Sequence, residues 1–303
     1  MPSSDLTAHP HPKTDMKKYA LVMSGGGARG LFAVEILRLM LQNSFDFKQI
    51  KIVSGVSVGA IIGAVFAQGD LQLLVNWFPI LRNQDVYEGK LSLRRTLWQR
   101  IIGKNHILDL EPLHKLLIRY IDLSKINATG RTMLIGFTNL ETGKYETLSN
   151  WDFDNNEDYI RCIMASSCMP GIWQPQSFKT KTGIAYNNCV DGGVVQVSPI
   201  GAVLPHQPDH VIIINSSPVD ELIKTDFNDL EDVIFRSIDI QGSASFAKDM
   251  EYFLKINAFA PNKCYPNTIY QTEIHDSSLD FENPTYRLQR IKDAQRAYKK
   301  VNP

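Results

Sequence analysis

Apolar positions along the chain change period several times, and each change marks an element. "YALVM" (19–23) is a short continuous apolar run of strand type. "GLFAVEILRLMLQ" (30–42) carries its apolar residues on the helical period of about 3.6 residues. "IKIVS" (50–54) is a second strand, rich in β-branched residues, and "VGAIIGAVFA" (58–67) is apolar all round, so the helix it forms must be buried. Residues 71 to about 128 read as helices, among them "LDLEPLHKLLIRYID", which starts from an Asp109 N-cap with Pro112 in its first turn. "RTMLIGFTNL" and "KYETLS" are predicted to pair as a hairpin across "ETG", and "NNEDYIRCIMASSCM" to form a helix ended by Pro170. "VIIIN" (211–215) and "TIYQTEI" (268–274) read as strands, and "NPTYRLQRIKDAQRAYKK" closes the chain as an amphipathic helix.

Strands and helices alternate, which predicts a mainly parallel sheet covered by helices on both faces. No repeat and no linker interrupts the pattern, so residues 17–303 are expected to form a single α/β domain. Residues 1–16 are polar and Pro-rich and read as a flexible tail, in which "HPHP" is read as part of a leader in preference to the alternative, a weak metal-binding tract.

Composition narrows the class without choosing within it. The 303 residues, 44% hydrophobic, suffice for a packed core. The 32 basic and 32 acidic residues balance, so no global field draws the protein to nucleic acid. Cys162, Cys168, Cys189 and Cys264 make no C-x-x-C pair and read as reduced, small apolar residues. No signal peptide and no apolar run of about 18 residues is seen, which points to the cytoplasm, with docking at a membrane periphery still open.

Candidate chemistry begins with "SGGGARG". Gly25, Gly27 and Gly30 satisfy the dinucleotide fingerprint G-x-G-x-x-G behind a strand. A Rossmann fold wants an acidic residue at the end of the second strand. Asp46 stands before that strand, and what ends it is "SGVSVGA". Gly55-Val56-Ser57-Val58-Gly59 is a G-x-S-x-G between a strand and a buried helix, the context of a nucleophile elbow. A sharp turn there strains Ser57, exposes its hydroxyl, and aims the helix N–H groups at whatever reacts. The alternative is a small-residue helix start that Ser57 merely caps. If the first two strands are neighbours, the loop Gly25–Gly30 shares an edge with Ser57. Its backbone donors, on Gly25, Gly26, Gly27, Ala28, Arg29 and Gly30, can then hold an oxyanion. In "NNCVDGGVVQVSP", Asp191 precedes Gly192 and Gly193, either as an ordinary Asp-Gly turn or as a carboxylate with little steric cover.

These three pieces in this order resemble the patatin-like phospholipases. "SGGGARG" is similar to the family's glycine-rich oxyanion loop, "GVSVG" to its nucleophile elbow, "DGG" to its Asp-Gly-Gly turn, and "ASSCMPGIWQP" to its Ala-Ser-…-Pro segment. The likeness runs from Leu21 to Leu204. It implies a three-layer α/β/α fold and a catalytic dyad of Ser57 (nucleophile) and Asp191 (general base). The implied reaction is hydrolysis of phospholipids or other acyl lipids, met at a membrane or micelle surface, without metal or cofactor. The family's Asn before the proline is Ser198 here. Arg29 matches an arginine the family keeps; bracing of the loop is favoured over contact with a substrate phosphate.

Other residues have plainer readings. Ser166 and Ser167 sit at a helix end and read as capping or packing. His206 and His210 could complete an α/β-hydrolase triad in chain order but read as surface residues. Trp77, Phe78, Trp98 and Ile101 read as core, with a lipid-contacting lid as the alternative. The rival functions are an esterase with a Ser-His-Asp triad and a dinucleotide-binding protein. A catalytically dead lipid-binding scaffold is disfavoured because both dyad residues are present. Head group, acyl position and protein partners are not legible.

Overall fold

A computed structural model of the chain describes residues 17–89, 108–217, 219, 230–259, 264–274 and 280–303. The N-terminal tail, Trp98, Ile101 and His275 lie outside the described residues. Five strands run parallel, in the spatial order β3 (Thr132–Asn139), β2 (Ile50–Val56), β1 (Tyr19–Met23), β7 (His210–Asn215) and β8 (Asn267–Gln271). β7 and β8 come from beyond residue 204 and extend the same sheet past β1.

Both faces of the strands are covered, which is why they read as unbroken apolar runs. In β1, Leu21 and Met23 enter one core while Ala20 and Val22 enter the other. The larger core packs α1 (Gly30–Gln42), α2 (Val58–Ala67), α3 (Leu71–Trp77), α4 (Glu111–Tyr120), α5 (Leu123–Ala128) and α6 (Asn156–Ser167) onto one face. The smaller core lies under α7 (Ile200–Val203) and the long α8 (Leu230–Phe259), through Ile200, Val203, Phe246 and Phe253. The last helix, α9 (Pro284–Val301), returns to the larger core through Ala294 and Ala297. The result is a three-layer α/β/α architecture around a mostly parallel sheet.

The antiparallel strands position the site. β3 and β4 (Lys144–Ser149) form the expected hairpin, from Leu134↔Ser149 to Asn139↔Lys144, along one edge of β3. The other edge of β3 has two occupants. β2 pairs with Thr132–Gly136 in parallel, and β6 (Ala185–Asp191), itself paired with β5 (Gln176–Lys179), pairs with Phe137–Asn139 antiparallel. β2 and β6 therefore meet end on. The chain must leave both at one point, after Val56 and after Asp191.

Element ends follow local chemistry. The N-cap of α4 is Leu110 and not the expected Asp109, whose carboxylate, one residue earlier, accepts from the Glu111 N–H at 2.8 Å. Asn155 caps α6, and the helix stops at Ser167 with Cys168 extended, two residues ahead of Pro170. Cys162, Cys168 and Cys189 are buried thiols; Cys264 is exposed.

Candidate active site

Ser57 occupies the turn between β2 and α2 with φ 56° and ψ −130°, a conformation that costs a non-glycine residue about 1–3 kcal/mol. Its neighbours explain the motif. A Cβ on Gly55 would lie 2.3 Å from the Gly59 carbonyl oxygen, and a Cβ on Gly59 would lie 2.5 Å from that of Met23. The strained turn is held by a residue read from sequence as mere packing. The Ser57 N–H donates to Ser166 Oγ (2.9 Å), and that hydroxyl donates to the Gly136 carbonyl (2.6 Å) with no exposure to solvent. Ser167 does behave as packing, donating to the Ile163 carbonyl one turn back (3.1 Å).

Asp191 ends β6 beside Ser57. Its backbone N–H donates to the Cys168 carbonyl (2.8 Å), so the segment after α6 orients it. Its carboxylate accepts from the Gly193 N–H at 2.7 Å. Burial pushes its pKa up to about 6, while hydrogen bonds from Ser57 and Gly193 hold it back. Gly192 is a steric necessity, since a Cβ there would lie 2.7 Å from the Gly136 oxygen, while one on Gly193 would crowd the Asp191 carboxylate at 3.0 Å.

The glycine loop closes over Ser57 from β1. A Cβ on Gly25 would sit 3.2 Å from Ser57 Cβ. Three of the loop's six N–H groups are already engaged. Gly25 donates to Val197 (3.0 Å), Arg29 to Gly26 (3.0 Å), and Gly30 faces the carbonyls of Gly27 and Ala28. This narrows the candidate oxyanion donors to Gly26, Gly27 and Ala28. Gly26 (φ 153°) and Gly27 (φ 54°) take backbone conformations that favour glycine. Arg29 is buried and turned onto its own loop, with Nε donating to the Gly26 carbonyl (3.3 Å) and Nη2 paired with Asp239 (2.7 Å).

Two cavities meet at Gly27, Ser57 and Met169. One, of about 390 Å³, is walled by the glycine loop, Asp191, the turn to Val197, and Ser237 and Gln241 of α8. The other is a narrow apolar slot of about 50 Å³ between α2, α3 and α4, lined by Val58, Ile61, Trp77, Phe78, Leu113 and Trp173. Trp77 and Phe78 are thus core residues that also border the site.

Among the described residues, no histidine lines either cavity. His210 pairs with Tyr19 at the amino end of the parallel strands, while Ser57 lies past the carboxyl end, where Met23 pairs with Gly55. Four residues of strand, about 13 Å, separate the two ends. His206 lies at the same far end, its carbonyl accepting from Lys18 Nζ (2.7 Å). Ser198 Oγ is buried with no partner among the described residues, and the neighbouring Pro199 carbonyl accepts from Ser54 (3.4 Å). No His/Cys/Asp/Glu group suited to a metal occurs among the described residues, and none of their helices is long and apolar enough to cross a membrane.

Sequence reasoning missed Ser166, whose small-residue helix end gave a weak signal, and Asp239, for which no motif exists.

Comparison with known proteins places this geometry in context. A model of the patatin-like phospholipase family matches residues 21–204. The uncharacterized protein YqhO of Bacillus subtilis is 25% identical over 210 residues, covering 65% of this chain and 70% of its own length. Lysophospholipase NTE1 of Chaetomium globosum is 32% identical over 83 residues, 27% of this chain; the chain spans only 5% of that protein. Among solved structures, VipD of Legionella pneumophila aligns over 94% of this chain and 67% of its own, at 13% identity and TM-score 0.44. Human GIVD cytosolic phospholipase A2 aligns over 67% and 43%, at 12% identity and TM-score 0.39.

Proposed function

The chain belongs to the patatin-like phospholipase family, and from that premise we propose that it hydrolyses carboxylic esters of lipids, as a phospholipase A or lysophospholipase, through a Ser57–Asp191 dyad. The observation that carries the reading is the end-on meeting of β2 and β6, which brings Ser57 and Asp191 to the wall of one cavity, close enough for Ser57 to lower the Asp191 carboxyl pKa. Asp191 takes the proton as Ser57 Oγ attacks the ester carbonyl, then passes it to the departing alcohol. A water molecule gives Asp191 a second proton and attacks the acyl-enzyme. The fatty acid leaves and Ser57 recovers its proton.

An isolated carboxylate with a pKa near 4 is a weak base toward a hydroxyl. Burial that lifts Asp191 to about 6 narrows the mismatch, and direct contact removes the need for an intervening imidazole. The N–H groups of Gly26 and Gly27, with the amino end of α2, stabilise the tetrahedral oxyanion. Neither metal nor cofactor has a part in these steps. The larger cavity, about 390 Å³ and bordered by Arg29, Asp191, Ser237 and Gln241, accommodates the glycerol and head group of a phospholipid presented at a membrane or micelle surface, and the setting is cytoplasmic.

The test is covalent labelling. A fluorophosphonate should modify one residue, Ser57, and Ser57→Ala should lose both labelling and lipid ester hydrolysis while remaining folded. Labelling that persists in the alanine variant sends the nucleophile elsewhere. Retention of NAD by the purified protein would instead favour a nucleotide role for the glycine loop.

A further inference from the structure

α8 lies beyond residue 204, outside the matched family segment, yet it reaches both halves of the site. Gln241, Ser245 and Asp249 repeat at one-turn spacing and grip the turn that follows Asp191. Gln241 Nε2 donates to the Val194 carbonyl, Ser245 Oγ accepts from the Val197 N–H (3.2 Å), and Asp249 accepts from Gln196 Nε2 (3.0 Å). Two residues before Gln241, Asp239 pairs with Arg29 Nη2 at 2.7 Å, both side chains 5% exposed. Arg29 in turn holds the Gly26 carbonyl twice, through its own N–H (3.0 Å) and through Nε (3.3 Å).

We infer that Asp239 is a positioning residue for the oxyanion loop: by holding Arg29 over the Gly26 carbonyl, it locks the Gly26–Gly27 peptide in the orientation that offers the Gly27 N–H to the reacting ester. The inference rests on the dyad reading above.

The reasoning is stereochemical. In a trans peptide the carbonyl and the following N–H point to opposite sides, so a Gly26 carbonyl turned toward Arg29 turns the Gly27 N–H away from it. Gly27 borders both cavities beside Ser57. A peptide between two glycines meets little steric resistance to rotation, because neither residue carries a Cβ. The loop's own Arg29 N–H holds the Gly26 carbonyl, and the anchored Arg29 side chain adds a second, charged donor to the same oxygen. Asp239 is the carboxylate that pairs with the Arg29 guanidinium, both side chains buried. An Arg29 engaged in this way serves turnover through the loop it braces.

Two variants test this on a lipid ester. Replacing a buried ion pair with apolar side chains of similar length is commonly neutral or stabilising, so Arg29→Met/Asp239→Leu should keep the wild-type thermal midpoint or exceed it. Its kcat should fall about 10–100-fold, with KM changed less than about threefold, because a misdirected oxyanion donor acts in the transition state. Asp239→Asn, which keeps shape and loses charge, should lower kcat about tenfold with the same KM, and it decides the question if the double variant does not fold. An unchanged kcat in a folded variant, or a loss confined to KM, overturns the lock while leaving the dyad intact. A wild-type protein that cleaves no lipid ester overturns the dyad reading, and the lock with it.

Discussion

The backbone N–H of Ser57 is hydrogen-bonded to the hydroxyl of Ser166, 109 residues away in sequence and sealed from solvent. This bond holds the nucleophile's own peptide in its strained turn. Ser166→Ala leaves a buried N–H without its acceptor and the Gly136 carbonyl without its donor. It should cost about 1–3 kcal/mol of stability and lower kcat as Ser57 relaxes. Chemical denaturation and steady-state kinetics on the same preparation check both effects. Full activity in the alanine variant would show that the elbow holds its shape unaided.

Asp191→Asn should abolish hydrolysis and at the same time stabilise the protein. A folded pKa of about 6, raised above the unfolded value of about 4, means that ionising this group costs the native state. Wild-type stability contributed by the protonated form is full below the unfolded pKa and is lost as pH rises through about 6. The asparagine variant carries no such cost. Its advantage, on the order of 2–3 kcal/mol above pH 7, should vanish near pH 4. Urea titrations of both proteins across that range measure it. An advantage independent of pH would show that the carboxylate is not the source.

Activity should fall on the acid side with a midpoint near pH 6, because only ionised Asp191 can accept the Ser57 proton. The relevant measurement is kcat/KM against pH on a substrate without titratable groups. A midpoint near 4 would mean that Asp191 is well solvated in solution.

Gly26→Ala and Gly27→Ala should reduce kcat about 100-fold or more, with substrate affinity less affected. Both positions have backbone angles unfavourable to a side chain, and a Cβ on Gly26 would press Arg29 and Ser216 at 3.3 Å. Gly59→Ala differs in kind: its methyl would meet the Met23 and Ser24 carbonyls at 2.5 and 2.6 Å, so it should fail to fold. Circular dichroism separates the two cases.

Replacing His206, His210 and His275 singly with Ala should leave most of the activity, and chelators should leave it unaffected. The first two histidines sit at the far end of the strands from Ser57, and His275 lies outside the described residues. A folded histidine variant as inactive as Asp191→Asn would replace the dyad with a triad. Loss of activity with EDTA, restored by calcium, would point to a metal.

Much of the architecture was legible because parallel strands buried on both faces announce themselves. "YALVM" and the "VIII" of "VIIIN" are continuous apolar runs, and α2 runs over the residues its all-round hydrophobicity marked. The glycines beside Ser57 and Asp191 were legible too, since close backbone approach leaves no other residue type. What stayed hidden depends on partners distant in sequence. Ser166 looks like any serine near a helix end until β3 brings the Gly136 carbonyl to it. Asp239 lies on a helix whose sequence carries no motif, and its meaning comes from Arg29, two hundred residues earlier. The engaged N–H of Gly25 was equally invisible, because its acceptor, Val197, arrives with another loop.

β3 acts as a ruler for the chemistry. Val56 pairs with Gly136 and Asp191 with Phe137, so the spacing of serine and aspartate is set by two adjacent residues of a third strand. Drift in either strand alone would require it to slip by a whole residue, which reverses every side chain between the two faces of the sheet. Wear on such a site is therefore all or none. Heating or mild denaturant should erase activity in step with the unpairing of β3, with no softened, half-active state in between.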